Sequence, residues 1–201
     1  MLQSLQGDLD RRTTRQRILS VATELFSQKG YSACPVAEIV ERAGVTKPVL
    51  YYYFGSKEGL FRAILEEAGK LQERMLREAL EGEGPALDRI RTLFRKIYEE
   101  VMGRPHLFRL LHQLAFSHLE LAVVGFDMQR FHGRMIEAVS KLVEQAVTEG
   151  QLACSDPQDA ALVLLAVLSL CIDMDQCYPQ TADPERLPRL LNLALAGLGA
   201  R

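Results

Sequence analysis

The sequence predicts an all-α protein with about nine helices. Apolar residues recur at the 3.6-residue spacing of amphipathic helices along most of the chain, and no segment shows sustained strand-like alternation. Prolines and glycines interrupt this pattern at intervals, as they do at helix ends. No internal repeat and no low-complexity linker divides the sequence.

The composition is that of an ordinary globular chain. Of its 201 residues, 48% are hydrophobic and 25% are charged, so no disulfide or metal is needed to hold a core. The N-terminus has no apolar segment typical of a signal peptide, and the run Ala160–Leu168 is shorter than the about 20 residues that a membrane span needs. We therefore expect a cytoplasmic protein without a membrane span. Its cysteines, which form no CxxC pair, are expected to be reduced thiols; they are Cys34, Cys154, Cys171 and Cys177.

The first sixty residues differ in charge from the rest. They contain 8 Lys and Arg against 6 Asp and Glu, whereas the whole chain has a net charge of −2. Residues 1–10 are expected to be a mobile tail, followed by a helix over about 14–28 that ends at Gly30. One face of this helix is apolar and comprises Ile18, Val21, Ala22, Leu25 and Phe26.

Two short amphipathic segments joined by a glycine turn predict a helix-turn-helix. The first helix covers about 35–43, with Pro35 at its first position, and Gly44 ends it. The second covers about 47–53, with Thr46 as its N-cap. Ser56 is expected to cap a long fourth helix that ends near residue 81. The expected buried contacts of the motif are Val36, Ile39, Val40, Val45 and Leu50.

Four consecutive aromatic residues occupy the end of the third helix. Because successive helical residues are rotated by about 100°, Tyr51, Tyr52, Tyr53 and Phe54 cannot all be buried. We expect Tyr53 and Phe54 to pack against the fourth helix. Tyr51 and Tyr52, beside Lys47 and Lys57, are expected to face outward, where hydroxyl and ammonium groups suit phosphate oxygens and base edges.

Residues 15–65 resemble the N-terminal domain of TetR-family regulators. The resemblance is carried by Ala43-Gly44-Val45 and by the run Leu50-Tyr51-Tyr52-Tyr53-Phe54-Gly55-Ser56-Lys57-Glu58, with Gly30-Tyr31 before them. It implies a three-helix helix-turn-helix DNA-binding domain, over residues 11–57, joined to a larger helical ligand-binding and dimerisation domain over residues 58–201. It also implies a set of DNA-binding residues, namely Thr46, Lys47, Pro48, Val49, Tyr51, Tyr52 and Lys57.

The start of the second helix departs from the family pattern. Family members usually have Thr followed by Ser or Thr there, whereas this chain has Cys34-Pro35. Cysteine is a poor N-cap and a weak donor, which puts the hydroxyl contact to phosphate in doubt, although backbone N–H groups there still suit an anion. The basic residues Arg11, Arg12, Arg15 and Arg17 suit either phosphate contacts or a solvated helix start.

Five more helices are predicted in the remainder, over about 85–102, 105–120, 122–149, 157–177 and 184–198. The stretch Ala160–Ile172 is apolar on nearly every face, and the last helix is rich in leucine. We expect these two helices to form a homodimer interface, with packing inside the subunit as the alternative.

Candidate ligand-binding residues lie in segment 98–135, which is rich in Phe, Met and His. The candidates are Phe108, His112, Phe116, Phe131 and Met135. The effector is expected to be a small hydrophobic or amphipathic molecule. No cofactor or metal is expected, because His106, His112 and His118 are six residues apart and do not share a helix face.

The sequence thus favours a dimeric, ligand-responsive repressor that binds a palindromic DNA operator. A helical adaptor that binds protein is the alternative, and an all-helical enzyme is a further one. No P-loop, HExxH, GxSxG or strand-linked GxGxxG motif occurs, so we expect no enzyme.

Overall fold

The computed structural model describes the backbone of residues 2–115 and 125–199 and the side chains of residues 12–115 and 125–198. These ranges contain nine α-helices and one short 3-10 helix, and no strand, which confirms the all-α prediction. The α-helices are α1 (Leu2–Lys29), α2 (Val36–Ala43), α3 (Lys47–Phe54), α4 (Lys57–Glu81), α5 (Ala86–Gly103), α6 (Pro105–Ala115), α7 (Met128–Thr148), α8 (Pro157–Cys177) and α9 (Arg186–Gly199).

The start of α1 differs from the prediction. The helix expected to begin near Thr14 begins at Leu2, so residues 2–10, expected to be a mobile tail, continue the helix. The segment contains no proline, and each residue added to an existing helix gains a hydrogen bond without a new nucleation step. Apolar periodicity was therefore a poor guide to where this helix begins.

Other helices begin later than expected, and two of these differences have a reason in the local backbone. Pro35 is the N-cap of α2 and lies outside the helix, with the extended φ and ψ of −76° and 146°. The helix expected over 122–149 begins at Met128, because Gly125 has a positive φ of 64° and the residues up to Asp127 are not helical. The predicted residues 116–120 and 122–124 lie outside the described residues.

The described chain divides into two compact units. The first comprises Met1–Gly69 and His106–Met128. In this unit α1 packs on α2 and α2 packs on α3. The ring of Phe26 meets that of Phe61 edge-on at 5.2 Å between centroids. The fully buried apolar side chains of α1 to α4 are Ile18, Ala22, Leu25, Phe26, Ile39, Leu50, Leu60, Phe61 and Leu65.

The second unit comprises Lys70–Pro105 and Gln129–Arg201. Here α5, α8 and α9 pack against one another. Arg89 donates to the carbonyl oxygens of Ala79 and Leu80, at 3.2 and 3.0 Å, and so satisfies the last turn of α4. The buried side chains of this three-helix core include Ile90, Leu93, Phe94, Leu164, Leu168, Ile172, Leu187, Leu191 and Leu195.

The apolar helix α8 is buried on one face only. By length and composition it could cross a membrane, but its inner residues pack in the core of the second unit. Its outer face leaves Leu162, Val163 and Leu170 exposed, and the neighbouring α9 exposes Leu193. Packing inside the subunit, the alternative to a dimer interface, therefore does not cover this face, which is an apolar surface.

Candidate nucleic-acid interface

A glycine turn sets α3 at an angle to α2. Gly44 has a φ of 62° and a ψ of 41°, the left-handed conformation that glycine adopts with little strain. The N–H of Val45 donates to the carbonyl oxygen of Val40 at 2.9 Å, which closes the end of α2. The first turn of α3 follows within three residues, so this turn fixes the direction of the third helix.

One buried residue anchors α3 in the first unit. Leu50 is fully buried between α2 and the rest of the helical core. Ile39, Val40 and Leu50 are buried as expected, whereas Val36 and Val45 are only half-buried. The opposite face of α3 is therefore free to meet a partner.

The outer face of α3 carries most of the residues implied by the family resemblance. Thr46, Lys47 and Pro48 are exposed at its N-terminus, and Val49 is half-buried. Tyr51 is 45% exposed and Tyr52 is 72% exposed, as expected from the helix geometry. Among the described residues, no ion pair involves Lys47, so its ammonium group is available to an anion. Contact with DNA stays a prediction for all of them.

The hydroxyl of Thr46, the N-cap of α3, makes no hydrogen bond to the helix. Thr46 has the extended backbone of an N-cap, with φ of −98° and ψ of 160°, but its side chain accepts no hydrogen bond from the helix amides. One reason is that Pro48 lies in the first turn and has no N–H to donate. The hydroxyl of Thr46 is therefore left for an outside acceptor.

The remaining aromatic residues of the run connect α3 to its surroundings. Tyr53 and Phe54 are half-buried, and their ring centroids are 6.2 Å apart. The guanidinium group of Arg15 lies 5.5 Å from the Phe54 ring centroid and pairs with Glu67 at 2.5 Å. This makes Arg15 a structural contact of α1 with α4, while Arg12 and Arg17 are exposed.

The junction from α3 to α4 is closely packed. Ser56 accepts a hydrogen bond from the Gly59 N–H at 2.9 Å, so the predicted cap of α4 is confirmed. A Cβ atom at Gly59 would overlap the carbonyl oxygen of Phe54. Glycine at this position therefore lets the end of α3 lie against the first turn of α4.

Lys57 is oriented by aromatic and carbonyl contacts. Its ammonium nitrogen lies 4.4 Å from the Tyr31 ring centroid and 3.5 Å from the carbonyl oxygen of Ser32. Burial, followed by the nearby carboxylate of Glu58, raises the pKa of Tyr31, which keeps that ring a neutral phenol. Lys57 is half-buried, so a part of its side chain remains accessible to a phosphate.

The cysteine at the start of α2 points into the core. Cys34 is fully buried, and burial, together with the charge of Glu38, raises the pKa of its thiol. A buried neutral thiol cannot replace the hydroxyl that family members usually offer to phosphate. What faces outward at this point is Pro35 and Ala37, so any anion contact here must come from backbone groups.

Four of the five predicted ligand-binding residues lie among the described residues, on two helices. Phe108 and His112 lie on α6 in the first unit, with ring centroids 5.9 Å apart. Phe131 and Met135 lie on α7 in the second unit. Phe116 lies outside the described residues. Their role in binding stays a prediction.

A cleft of about 450 Å³ opens between α4 and α5 in the second unit. None of the predicted ligand-binding residues lines it. Its lining includes both acidic and basic side chains. One pair of them, Lys96 and Glu78, lies 2.9 Å apart, and the hydrogen bond from Lys96 lowers the pKa of Glu78. Within the side chains that the structure describes, no group of three His, Cys, Asp or Glu residues could hold a metal ion.

Comparison with known proteins connects this geometry to a family. The family model described as bacterial regulatory proteins of the tetR family matches residues 18–64, which span the C-terminal part of α1, all of α2 and α3 and the start of α4. The HTH-type transcriptional regulator AcrR of Shigella flexneri is 33% identical over 183 residues, covering 88% of this chain and 84% of AcrR. The chain belongs to the TetR family.

Solved TetR-family structures share the fold over nearly the whole chain. A TetR-family regulator from Agrobacterium tumefaciens superposes with a TM-score of 0.74 at 16% identity, covering 94% of this chain and all of the other. The SmeT–triclosan complex gives a TM-score of 0.73 at 23% identity, covering 92% of this chain and 91% of SmeT. TetR-family proteins are ligand-responsive, DNA-binding regulators of transcription, and α2 and α3 are the helix-turn-helix of this member.

Proposed function

We propose that this TetR-family protein is a dimeric repressor that binds a palindromic DNA operator through α3 and is released by a small-molecule effector. The observation that carries the proposal is the outer face of α3. Lys47, Tyr51 and Tyr52 are exposed there, on a helix that Leu50 anchors in the core.

The chemistry of this face suits the major groove. Lysine ammonium and tyrosine hydroxyl groups donate to phosphate oxygens, and tyrosine rings make apolar contacts to base edges. Thr46 adds a hydroxyl at the N-terminus of α3, where the helix dipole favours an anion. Lys57, oriented by Tyr31, adds a phosphate contact one helix further on, and the side chains of Pro48 and Val49 complete the surface.

The outer faces of α8 and α9 support a homodimer. Leu162, Val163, Leu170 and Leu193 are each at least 44% exposed, and exposed apolar patches of this kind mark protein interfaces. A closed two-fold dimer presents the same patch from both subunits. The helix-turn-helix units of the two subunits are the two heads of the dimer and are related by the two-fold axis. They therefore read a palindrome whose half-sites lie about 34–36 Å apart.

The continuity of α4 supports the proposal that an effector releases the protein from DNA. This helix begins at Lys57, directly after the recognition helix, and continues to Glu81. A ligand bound among the C-terminal helices shifts α4 and so changes the spacing of the two heads. A coupling of about 1–3 kcal/mol corresponds to a 5–150-fold change in operator affinity. SmeT, which shares the fold, has been solved as a complex with triclosan, a small amphipathic molecule.

Two other functions are less well supported. A protein-binding adaptor would not need the exposed lysine and tyrosines of α3, which suit phosphate. The relative AcrR is a transcriptional regulator, which does not favour an enzyme. The described residues also contain no group of side chains typical of one particular reaction. We propose a cytoplasmic location, where a DNA-binding regulator meets its operator.

Selection of DNA from a randomised pool tests this function. The purified protein is expected to enrich an inverted repeat, with the centres of its half-sites one helical turn apart or a multiple of that. Enrichment of a single asymmetric site would contradict the proposal that the protein binds DNA as a dimer. No enrichment at low salt, where phosphate contacts are strongest, would contradict DNA binding and favour the adaptor.

A further inference from the structure

A glutamine interrupts the buried stripe of α4. The inward-facing positions of this helix are spaced by three or four residues, and Leu65, Ala68, Leu76 and Ala79 among them are small or apolar. Gln72 occupies the same stripe and is only 3% exposed. Polar side chains at such positions are rare unless hydrogen bonds compensate their burial. Apolar packing therefore does not explain why a glutamine occupies this buried position.

Only half of the Gln72 amide is satisfied. Its Nε2 donates to the carbonyl oxygen of Phe131 on α7, at 3.1 Å. Because a carbonyl oxygen only accepts, the orientation of the amide is determined, and Oε1 must point elsewhere. Oε1 is buried and has no hydrogen-bond partner among the described residues. A buried acceptor without a donor is costly, and it points to a partner that the described residues do not supply, either an ordered water or a ligand.

A second unsatisfied group lies one helical turn further along α7. Arg134 follows Phe131 by three residues and so lies beside it on the helix surface. Its Nε is buried and has no hydrogen-bond partner among the described residues. The Nε of Arg89 is also unsatisfied, but the rest of that guanidinium caps α4. The pair Gln72 and Arg134 thus offers one acceptor and one donor near the same turn of α7.

The surroundings of the pair are apolar and adaptable. Phe131 and Met135 are half-buried on the same side of α7, and methionine accommodates ligands of varied shape. We propose that Gln72 Oε1 and Arg134 Nε are the polar contacts of the effector site. The ligand is then an apolar molecule with one hydroxyl or amide group, which donates to Gln72 and accepts from Arg134.

This inference rests on the proposed function, in which an effector binds among the C-terminal helices, and it names the chemistry that the effector must carry. A site that hydrogen-bonds one group of its ligand rejects analogues without that group, because its own buried polar atom then stays unpaired. Gln72 also lies on α4, which begins next to the recognition helix. A hydrogen bond to Gln72 therefore acts on the helix that is proposed to transmit the signal.

Three probes with one apolar body test the requirement for a donor. They are 1-naphthol, which donates and accepts, 1-methoxynaphthalene, which only accepts, and naphthalene, which does neither. Fluorescence titration of the full-length protein is expected to give an affinity for 1-naphthol at least about 10-fold above that for 1-methoxynaphthalene. The Gln72→Met variant is expected to bind both with similar affinity. The exposed Gln129→Met variant is the matched control and should discriminate like the wild type.

The thermal stability of the ligand-free variants separates a binding role from a structural one. Gln72→Met removes an unsatisfied acceptor, and the Phe131 carbonyl keeps its place in the hydrogen-bond ladder of α7. The Tm should therefore be unchanged or raised by about 2–4 °C. A glutamine needed for the fold would instead give a clearly lower Tm on replacement.

Equal binding of 1-naphthol and 1-methoxynaphthalene by the wild type, or retained discrimination in Gln72→Met, would overturn the inference. Failure of all three probes to bind a protein that still binds its selected DNA would also overturn it, while leaving the proposed function intact. Failure to bind DNA, with discrimination between the probes retained, would contradict the proposed function instead.

Discussion

An Asp175→Ala variant is expected to lose about 3–5 kcal/mol of unfolding free energy, because it removes one partner of a buried ion pair. For a chain of this size the loss corresponds to a fall in Tm of roughly 6–20 °C, measurable by thermal denaturation followed by circular dichroism. Asp175 lies near the end of α8 and is 5% exposed. It pairs with Arg186 of α9, whose side chain is 16% exposed.

The carboxylate of Asp175 also joins a third helix to this pair. The hydroxyl of Tyr98 on α5 donates to it, and the N–H of Asp183 donates to it at 3.3 Å. Burial and this hydrogen bond raise the pKa of Tyr98 to about 12, so the phenol stays a donor at neutral pH. Removing the carboxylate therefore leaves the half-buried hydroxyl of Tyr98 without its acceptor and the half-buried guanidinium of Arg186 without its charged partner.

Two further variants make this prediction specific. Asp175→Asn keeps an acceptor but loses the charge, so its loss of stability should be smaller than that of Asp175→Ala. Asp88→Ala removes an exposed carboxylate whose partner is Arg91, at 2.8 Å on the same helix, and should change the Tm little. Equal Tm values for Asp175→Ala and Asp88→Ala would show that the buried network does not stabilise the second unit.

Glutamate at two exposed leucines is expected to abolish the dimer. Leu170 of α8 and Leu193 of α9 are 54% and 70% exposed in the single chain, and both lie on the proposed interface. In the Leu170→Glu/Leu193→Glu variant, two-fold symmetry would bring four carboxylates into an apolar contact, where their desolvation is unfavourable. Sedimentation velocity should show wild-type protein at about twice the 22.6 kDa chain mass and the variant at the chain mass.

Loss of the dimer should also weaken operator binding. A monomer engages one half-site only, so the gain from tethering the second head disappears, and affinity is expected to fall by about 10²–10⁴-fold. Thr92→Glu/Gln129→Glu adds the same charge at exposed polar positions of the same unit and should remain dimeric. A variant that stays dimeric with both leucines replaced would place the interface elsewhere.

The helix-turn-helix could be predicted from sequence because its signals are local. Gly44 ends α2, Thr46 occupies the N-cap of α3 and Ser56 caps α4, each within a few residues of the element that it determines. The outward orientation of Tyr51 and Tyr52 follows from the 100° step between helical residues. For these reasons the predicted bounds of α3 agree with the structure to within a residue at its end.

Features that depend on distant residues could not be predicted in the same way. Asp175 is an acid near the end of an apolar helix, and its partners Tyr98 and Arg186 come from two other helices. The stripe of α4 contained a usable signal, since Gln72 interrupts an apolar pattern, yet only the fold shows that half of its amide is unsatisfied. The early start of α1 was missed because its first residues lack a strong apolar pattern.

The central claim is that the exposed face of α3 reads DNA, and fluorescence anisotropy tests it most directly. The wild type, Lys47→Ala/Tyr51→Ala and the control Lys141→Ala/Tyr178→Ala are titrated into labelled DNA from upstream of the protein's own gene, in a salt series. We predict tight wild-type binding that weakens steeply with salt, retained in the control and lost in the α3 variant. Equal affinities for the three proteins, or no binding at low salt to this DNA or to a randomised pool, would contradict the claim.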